Sequence, residues 1–256
     1  MLPSIYVINA ATLSKPRAVE QLAADLASYD TDVAIITETH FKARHSDNVI
    51  SIPGYKLYRR DRQRRRGGGV AVYIWANIQS AGWTKPADDP DYELLWVHAG
   101  GVIIGALYHP PRASYSTHLL LNYIESCIEE LSQEFPIAPV VLAGDFNQIP
   151  DCDIEDRTGM QQLVRQPTRG PNLLDRIFVS SHTYNIVRVV TSLIKSDHKA
   201  VVAYASQPAF ANKSRTLKMF RTISPQQHAQ FLAHISMLNL DDVGGNSTQC
   251  NGQVGM

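Results

Sequence analysis

A short apolar segment that ends in Gly-Asp-Phe-Asn constrains this chain more than any other feature. Residues 137–143 are rich in valine and bounded by a proline and a glycine, which is the pattern of a buried β-strand. Such a strand would deliver Asp145 and Asn147 to the carboxyl end of a sheet, where α/β folds bind ligands. Alternation along an extended chain would put these two side chains on one face and Phe146 on the other. An Asx-rich turn would explain the same residues without any function, so the rest of the chain has to decide.

Composition and charge limit the class of protein. The 256 residues suit one large domain with an appendage, and 24 basic and 24 acidic residues leave no net charge that would indicate nucleic-acid binding. Cys127, Cys152 and Cys250 are few and widely spaced, which is typical of a reducing compartment and not of a disulfide framework or a zinc site. The first residues lack a signal-peptide pattern, and no apolar run approaches the ~18 residues of a membrane span. We therefore expect an intracellular protein that is not bound to a membrane.

Strands and helices alternate through most of the chain, which predicts an α/β fold. Apolar residues at helical spacing predict two helices, one with Ser14 as its N-cap and one over residues 117–131. Residues 150–166 show no such spacing and are predicted to be a loop. The predicted strands cover residues 5–10, 33–37, 55–58, 70–75, 78–83, 94–99, 102–108, 137–143, 173–179, 186–191 and 199–204.

The last fifty residues differ in kind from the rest. We place a domain boundary at residue 206, so that residues 1–206 form the main domain. Residues 207–256 are predicted to be a connector with one short helix, capped by Ser224, and a C-terminal tail rich in Gly, Asn and Ser that is disordered.

Polar side chains recur where the predicted core strands end. In chain order they are Asn9, Glu38, Tyr108, Asp145, Asn147, Asp175, Asp197 and His198. Each has an ordinary structural explanation: Asn9 suits a turn, Glu38 a surface position, and Asp175 could pair with its neighbour Arg176. Their shared position at strand ends favours a common site instead.

The chemistry of this set points to phosphoester hydrolysis. Oxygen ligands without cysteine or clustered histidine suit Mg²⁺ or Mn²⁺ and not zinc, and Glu38 with Asn9 nearby would suffice to hold Mg²⁺. His198 near carboxylates predicts an Asp–His pair, in which the acid fixes the imidazole tautomer. A metal ion at one end and a supported imidazole at the other are what in-line attack of water on a phosphoester requires.

An arginine-rich segment lies between two predicted strands. Residues 59–69 contain six arginines and three glycines, which predicts the tip of a β-hairpin. A solvated, mobile loop is the alternative, but six positive charges on one hairpin of a neutral protein are better explained by contact with DNA phosphates. Such contacts position a protein on DNA without reading its sequence. The predicted DNA-binding residues here are Arg59, Arg62, Arg64, Arg65 and Arg66.

The order of these motifs resembles that of the endonuclease/exonuclease/phosphatase superfamily, which includes deoxyribonuclease I and the apurinic endonucleases. The resemblance covers the main domain and rests most on Gly-Asp-Phe-Asn at 144–147 and Ser-Asp-His at 196–198. Residues 8–13, 37–40 and 166–169 resemble more narrowly the endonuclease domain of a LINE-type non-LTR retrotransposon. In such proteins a segment like residues 219–238 precedes a reverse transcriptase.

The resemblance implies a four-layer α/β sandwich, with two mixed sheets packed face to face and helices outside. It also implies that Glu38 binds the metal, with Asn9 as a further ligand or as its positioning partner. Asp197 would lie in the outer shell of the metal. Thr168 and Arg169 would lie near the DNA backbone.

The same resemblance assigns the catalytic residues. Asp145 and Asn147 would orient the attacking water and the scissile phosphate. His198, held by Asp175, would act on the nucleophile or the phosphate, and Tyr108 would contact the phosphate or assist the leaving oxygen.

Three positions depart from the family pattern without removing a catalytic group. His40 stands where many relatives carry tryptophan, and His109 and Ala11 stand where arginine is common. These departures would alter contacts with DNA, and we interpret the enzyme as intact.

The activity implied is Mg²⁺-dependent nicking of one strand of duplex DNA, leaving a 3′-hydroxyl that primes reverse transcription and a 5′-phosphate. We expect a monomer that acts in the nucleus, with a reverse transcriptase domain downstream in the parent protein. An abasic-site endonuclease and a catalytically silent nucleic-acid-binding domain are the alternatives. A lipid or inositol phosphate substrate is disfavoured, because a small headgroup does not need the arginine hairpin.

Overall fold

The computed structural model describes residues 2–63, 65–85, 91–182 and 184–205, together with residues 229, 230 and 233. The chain divides into two units, residues 1–217 and 218–256, and the first unit carries every strand named below. Residues 229, 230 and 233 are helical, whereas the predicted boundary at residue 206, the Ser224 cap and the predicted tail lie outside the described residues.

Twelve strands and four helices are present in the described part of the first unit. The strands are β1 (Ile5–Asn9), β2 (Val33–Thr37), β3 (Tyr55–Arg60), β4 (Val70–Trp75), β5 (Ser80–Trp83), β6 (Glu93–Ala99), β7 (Val102–Tyr108), β8 (Val140–Asp145), β9 (Gln161–Gln162), β10 (Asp175–Val179), β11 (Ile186–Val190) and β12 (Ala200–Tyr204). The helices are α1 (Ala18–Ser28), α2 (Asp47–Ile50), α3 (Thr117–Glu134) and α4 (Asp151–Thr158).

The strands form two mixed sheets of six. The first sheet has the order β11-β12-β1-β2-β4-β3, and the second has the order β5-β6-β7-β8-β10-β9. Each sheet has one parallel pair, β1 with β2 and β7 with β8, and the other described pairs are antiparallel. Parallel neighbours need a crossover connection, which α1 supplies in the first sheet and α3 in the second.

Three apolar clusters hold the layers together. Ile5 and Val7 of β1 face the cluster between the sheets, whereas Tyr6 and Ile8 face the outer cluster under Leu22 of α1. This is the alternation expected of a strand that is buried on both faces. On the outer face of the second sheet, a third cluster includes residues of α3 and α4. The predicted four-layer α/β sandwich is therefore confirmed.

The two helices predicted in the main domain are present, with changes at their ends, and α2 and α4 are additional. The first helix begins at Ala18, after Arg17 in a left-handed conformation, so Ser14 is not its N-cap. The prediction of a loop over residues 150–166 is wrong, because α4 occupies half of it. Only Ile154 of α4 is buried, so the sequence of this segment has no row of apolar residues at helical spacing. Acidic residues in its first turn stabilise the helix instead. None of the described helices is long and apolar enough to cross a bilayer.

The strand before Gly-Asp-Phe-Asn is shorter than predicted. Pairing with β7 begins at Val140 and pairing with β10 at Val141, and Ile137 is 97% exposed. Pro139 precedes the first paired residue, and proline cannot donate to a ladder in the middle of a sheet. The functional end of the strand, at Asp145, is where the sequence predicts it.

Gly144 allows β8 to approach β7 just before Asp145. Its φ is +142°, and a Cβ at this position would overlap the carbonyl oxygen of Leu107. Gly144→Ala should therefore lower the free energy of unfolding by about 3 kcal/mol or more, since backbone on a central strand cannot move aside. Thermal denaturation should show a fall in Tm of roughly 6–12 °C.

The matched control is Gly159→Ala at the C-cap of α4. Gly159 also has a positive φ, +66°, but no atom lies within 4 Å of its Cβ position. Only the backbone conformation then opposes the alanine, at a cost of about 1 kcal/mol. Equal losses in the two variants would show that crowding against Leu107 does not matter.

Candidate active site

Strand direction gathers the predicted site residues at one edge of the sandwich. Asn9, Tyr108 and Asp145 are the last residues of β1, β7 and β8. Asp175 opens β10, which runs antiparallel to β8, and pairs in register with Asp145. His198 lies two residues before β12, which runs antiparallel to β1. Ends of some strands and beginnings of others therefore meet at the same edge.

The side-chain amide of Asn9 joins two carboxylates. Its Nδ2 donates to Oε1 of Glu38 at 3.0 Å and to Oδ2 of Asp145 at 2.7 Å. Its Oδ1 accepts the backbone N–H of Ala11 at 2.9 Å. These hydrogen bonds match the positioning role predicted for Asn9, and the second lone pair of Oδ1 leaves the predicted alternative of a metal ligand open.

Glu38 is surrounded by hydrogen-bond donors. Its Oε1 also accepts from the Tyr108 hydroxyl at 2.8 Å, and its Oε2 lies 3.6 Å from Nε2 of His40. The other ring nitrogen of His40 is 2.6 Å from the Thr12 hydroxyl, which fixes the ring. Burial opposes ionisation of Glu38, but His40, Asn9 and Tyr108 outweigh it and lower its pKa to about 2. Glu38 is thus a carboxylate at any physiological pH.

His198 and Asp175 form the predicted pair. Nδ1 of His198 lies 2.7 Å from Oδ2 of Asp175, and their side chains are 3% and 0% exposed. Burial favours neutral imidazole, but the hydrogen bond and charge of Asp175 outweigh it and raise the pKa of His198. The alternative pairing of Asp175 with Arg176 is wrong, because successive residues of β10 point to opposite faces.

Asp145 lies between the two groups of donors. Its Oδ1 accepts the backbone N–H of Asn147 at 3.0 Å, which closes the turn after β8. Burial, and then the charge of Asp175, raises the pKa of Asp145 to about 7, against the opposing hydrogen bond from Asn9. Asn147 has a φ of +46°, and its side chain donates to the His109 carbonyl at 2.8 Å. Asp145 is thereby poised to gain or lose a proton near neutrality.

One group of described side chains could hold a metal ion. Ligand atoms of Asp145, Asp175 and His198 all lie within 4.8 Å of one another. Oδ1 of Asp175 is buried and has no hydrogen-bond partner, so a cation would satisfy it. Two carboxylates suit Mg²⁺, and Glu38 lies one side chain away, across Asn9. The donor set therefore fits Mg²⁺, although its members differ from the predicted set of Glu38, Asn9 and Asp197.

Asp197 and the predicted DNA-binding residue Arg169 pair with each other. Nη2 of Arg169 lies 2.6 Å from Oδ2 of Asp197, and the two side chains are 46% and 56% exposed. Oδ1 of Asp197 is 4.0 Å from Nε2 of His198, so Asp197 borders the site but is not in the cluster.

Thr168 is placed under the site and not at its surface. It is 1% exposed, and its hydroxyl accepts the backbone N–H groups of Leu174 and Asp175 at 3.1 and 3.0 Å. Its carbonyl accepts the N–H of Lys199, which follows His198. The prediction that Thr168 contacts the DNA backbone does not match this position. Thr168 instead holds both members of the Asp175–His198 pair.

The arginines of the hairpin between β3 and β4 are not equivalent. Nε of Arg59 lies 3.2 Å from Asp47, and Arg62 donates to Glu93 through Nε at 2.7 Å and also through Nη2. Arg65 and Arg66 are exposed. Arg64 lies outside the described residues.

The base of this hairpin is attached to the segment that carries Glu38. The N–H groups of Thr39 and His40 donate to the carbonyls of Gly69 and Gly68 at 3.2 and 2.8 Å, and Lys42 donates to two hairpin carbonyls at 3.1 Å each. Glu38 and His40 have φ angles of +51° and +55°, which other residues than glycine adopt only under constraint. The hairpin supplies that constraint.

Sequence reasoning missed Arg176. Its guanidinium is buried and donates to the carbonyls of Ile149, Leu173 and Asn147, the last two at 3.1 and 3.4 Å. It thus supports from below the turn that carries Asn147. The available signal was a charged residue inside an otherwise apolar strand, next to Asp175, which alternation places on the opposite face.

Comparison with known proteins identifies the family. Residues 5–198, most of the chain, match the model of the endonuclease/exonuclease/phosphatase family. The chain belongs to this family. The matched range begins at β1 and ends at His198, so it contains every residue of the site described above.

Individual relatives agree with this assignment. The chain is 28% identical over 136 residues to the RNA-directed DNA polymerase of the Drosophila melanogaster mobile element jockey, a match to 51% of this chain and 13% of that protein. The endonuclease domain of TRAS1, a telomere-specific non-LTR retrotransposon, has a similar structure, with a TM-score of 0.58, 15% identity, and coverage of 78% of this chain and 96% of that one. A Neisseria 3′ phosphatase bound to a product DNA hairpin matches with a TM-score of 0.61 at 18% identity, over 79% and 99% of the two chains.

These findings confirm the predicted superfamily and the predicted similarity to proteins of non-LTR retrotransposons. The structural matches show a shared fold. The chain spans about an eighth of the length of its curated relative. The protein is thus a family member with the phosphodiesterase fold and a buried cluster of acids and histidine at its rim.

Competition between Mg²⁺ and a proton at Asp145 should be measurable. The pKa of this carboxyl is about 7 in the folded chain, above the ~3.9 of an unfolded one, so its ionisation costs stability as the pH rises through 7. A bound cation would offset that cost. We expect Mg²⁺ to raise Tm at about pH 8, and its apparent affinity to fall about tenfold for each pH unit below 7.

Two variants test where the ion binds. Asp175→Asn keeps a partner for His198 but removes a charge from the cluster, so it should abolish the Mg²⁺-induced rise in Tm. Asp156→Asn removes an exposed acid of α4 and should leave the rise intact. A rise that survives Asp175→Asn, or that is the same at pH 8 and pH 5.5, would place the ion elsewhere.

Proposed function

We propose that the protein is a Mg²⁺-dependent endonuclease that nicks one strand of duplex DNA and leaves a 3′-hydroxyl and a 5′-phosphate. The observation that carries this proposal is the arrangement of Glu38, Asn9 and Asp145 on one side and Asp175 with His198 on the other. An anionic group that binds metal, a carboxyl with a pKa of about 7 and a supported imidazole meet at one rim. They are the parts that phosphodiester hydrolysis needs.

In this mechanism each residue has a defined task. Asp145, with Asn147, orients a water molecule and accepts its proton, since its pKa suits a general base at neutral pH. The water oxygen bonds to phosphorus as the bond from phosphorus to the 3′-oxygen breaks, and that oxygen takes up a proton from solvent water. His198, kept in orientation and protonated more readily by Asp175, donates to the phosphate oxygens and stabilises their growing charge.

Two further residues act around this centre. The Tyr108 hydroxyl, now bonded to Glu38, is positioned to contact the phosphate or the leaving oxygen. Mg²⁺, when bound, supplies Lewis-acid stabilisation of the phosphate charge. Glu38 and Asp175, whose Oδ1 is buried without a hydrogen-bond partner, are the residues that would hold it, with Asp197 at the border, because Asp145 and His198 act on the water and the phosphate.

The arginine hairpin favours DNA over a small phosphoester. Arg65 and Arg66 are exposed on a segment whose base is attached to the Glu38 loop, so contact with a DNA backbone would occur beside the catalytic rim. The Neisseria relative was solved with a DNA hairpin, which supports the same class of substrate.

The similarity to the jockey polymerase supports a role in a retrotransposon. We propose that the 3′-hydroxyl primes reverse transcription by a polymerase domain of the parent protein, and that the protein acts in the nucleus, where its DNA target lies. That it acts as a monomer stays a prediction from the sequence.

Relaxation of supercoiled plasmid tests the activity. Mg²⁺ should convert the plasmid to open circles, and EDTA should prevent it. His198→Ala should lower the rate by about 10²–10³-fold, the usual cost of removing one donor that stabilises charge in the transition state. His182→Ala, which removes an exposed histidine after β10, is the matched control and should nick at the wild-type rate.

The same assay separates the alternatives. Cleavage of an abasic duplex without nicking of intact plasmid would favour the abasic-site endonuclease. DNA binding without any metal-dependent cleavage would favour a silent binding domain. Unchanged nicking by His198→Ala would contradict the mechanism, whatever the substrate.

A further inference from the structure

A cavity of about 200 Å³ lies between the arginine hairpin and the loop that follows β7. Arg62 and Arg65 line it from the hairpin, and Arg112, Ser114 and Tyr115 line it from the loop. Arginines from two separate segments therefore converge on one space. Arg112, Ser114 and Tyr115 are not among the residues predicted to contact DNA.

The charges that line the cavity leave a net positive site. Glu93 also lines it, but its two oxygens already accept from Arg62 and from the N–H of Gly69. That pair of charges is satisfied internally. Arg65, Arg112 and Ser114 are exposed, so two guanidinium groups and a hydroxyl can turn toward a ligand. Asp91 lines the cavity as well and has a partner within the protein, so three arginines and two acids leave one net positive charge. Such a site suits an anion, and the planar fork of arginine suits a phosphate in particular.

The cavity is also next to the catalytic rim. The guanidinium carbon of Arg62 lies 5.5 Å from the centre of the Tyr108 ring, and the Tyr108 hydroxyl donates to Glu38. On the other side, the Tyr115 hydroxyl is 3.2 Å from Nδ1 of His109, the residue after Tyr108. A DNA strand whose scissile phosphate lies at the rim would therefore bring a neighbouring phosphate to this cavity, because phosphates repeat closely along a strand.

We propose that this cavity is a phosphate-binding subsite, in which Arg112 and Ser114 on the loop and Arg65 on the hairpin hold a DNA phosphate beside the cleavage centre. The inference rests on the proposed endonuclease function and deepens it. Closed from two sides, the subsite would set the position of the strand relative to Tyr108 and Glu38. Exposed arginines on the hairpin alone could not do so.

Binding of a short DNA duplex in EDTA tests the subsite without cleavage. Arg112→Ala should weaken binding about tenfold, the contribution of one hydrogen bond to a charged group, and should reduce the slope of log affinity against log salt by about one. Arg188→Ala removes an exposed arginine from β11, at the opposite end of the first sheet from the hairpin, and should change neither quantity. Arg112→Lys keeps the charge and should restore the slope but only part of the affinity.

A second measurement locates the phosphate. Around a mapped nick, single linkages of the duplex are replaced by neutral methylphosphonates, and KM and kcat for nicking are compared between wild type and Arg112→Ala. At one linkage beside the nick, neutralisation should raise KM about tenfold for wild type but have no further effect on Arg112→Ala.

The outcomes separate this inference from the proposed function. A folded Arg112→Ala protein, with the wild-type Tm, affinity and salt slope, would overturn the subsite even if plasmid nicking is normal. A lower slope in a protein that nicks nothing would support a phosphate subsite and contradict the endonuclease. Equal sensitivity of wild type and variant at every methylphosphonate would also overturn the inference.

Discussion

Hydrogen bonds between the two sheets create the catalytic rim. Asn9, from the first sheet, donates to Asp145 of the second, and Tyr108 of the second sheet donates to Glu38, which follows a strand of the first. The pair formed by His198 and Asp175 crosses in the same way. Neither sheet holds a complete set of groups. The apolar cluster between the sheets therefore does more than stabilise the fold, since it sets the distance across which these polar side chains can meet.

Two carboxylates that share one amide donor have opposite pKa shifts. Glu38 gains two further donors, from His40 and Tyr108, and its pKa falls to about 2. Asp145 is more deeply buried beside the charge of Asp175, and its pKa rises to about 7. Environment thus gives two identical chemical groups different tasks, one as a permanent anion and the other as a proton acceptor near neutral pH. Asn9 can bind both carboxylates because its side-chain NH2 group donates one N–H hydrogen bond to each.

Much of this could be predicted from the sequence, for identifiable reasons. Two apolar runs end at Asn9 and Asp145, and a third begins beside Asp175, which placed these residues at a sheet edge, because a strand buried on both faces leaves polar residues mainly at its ends. The local sequence pattern could not show which side chains of one sheet would form hydrogen bonds with side chains of the other. Thr168 shows the limit: its type suits a phosphate contact, yet it accepts backbone N–H groups under the site.

Helix α4 and the role of Arg176 could not be predicted from the sequence, for a related reason. Helix α4 buries one side chain and is stabilised by terminal charges, so it lacks the spacing that reveals a helix. Arg176 donates to backbone carbonyls of loops and pairs with Asp151 of α4 at 3.1 Å, and a sequence shows neither where carbonyls point nor which distant acid lies nearby. The sequence likewise showed that the hairpin is positively charged, but it did not show that Arg62 would bind Glu93.

The pairing of the first strand with the last has a consequence for biosynthesis. β12 lies beside β1, and the hydroxyl of Ser196 donates to the carbonyl of Asn9 at 2.7 Å. Almost the whole sequence of the sandwich separates these two residues. Contacts so distant along the chain form late in folding, because the intervening loop must close first. On the ribosome, Asn9 and Glu38 emerge long before His198 exists. A growing polypeptide of this kind would lack the Asp175–His198 pair, and with it the complete rim, until nearly all of the sandwich had been translated.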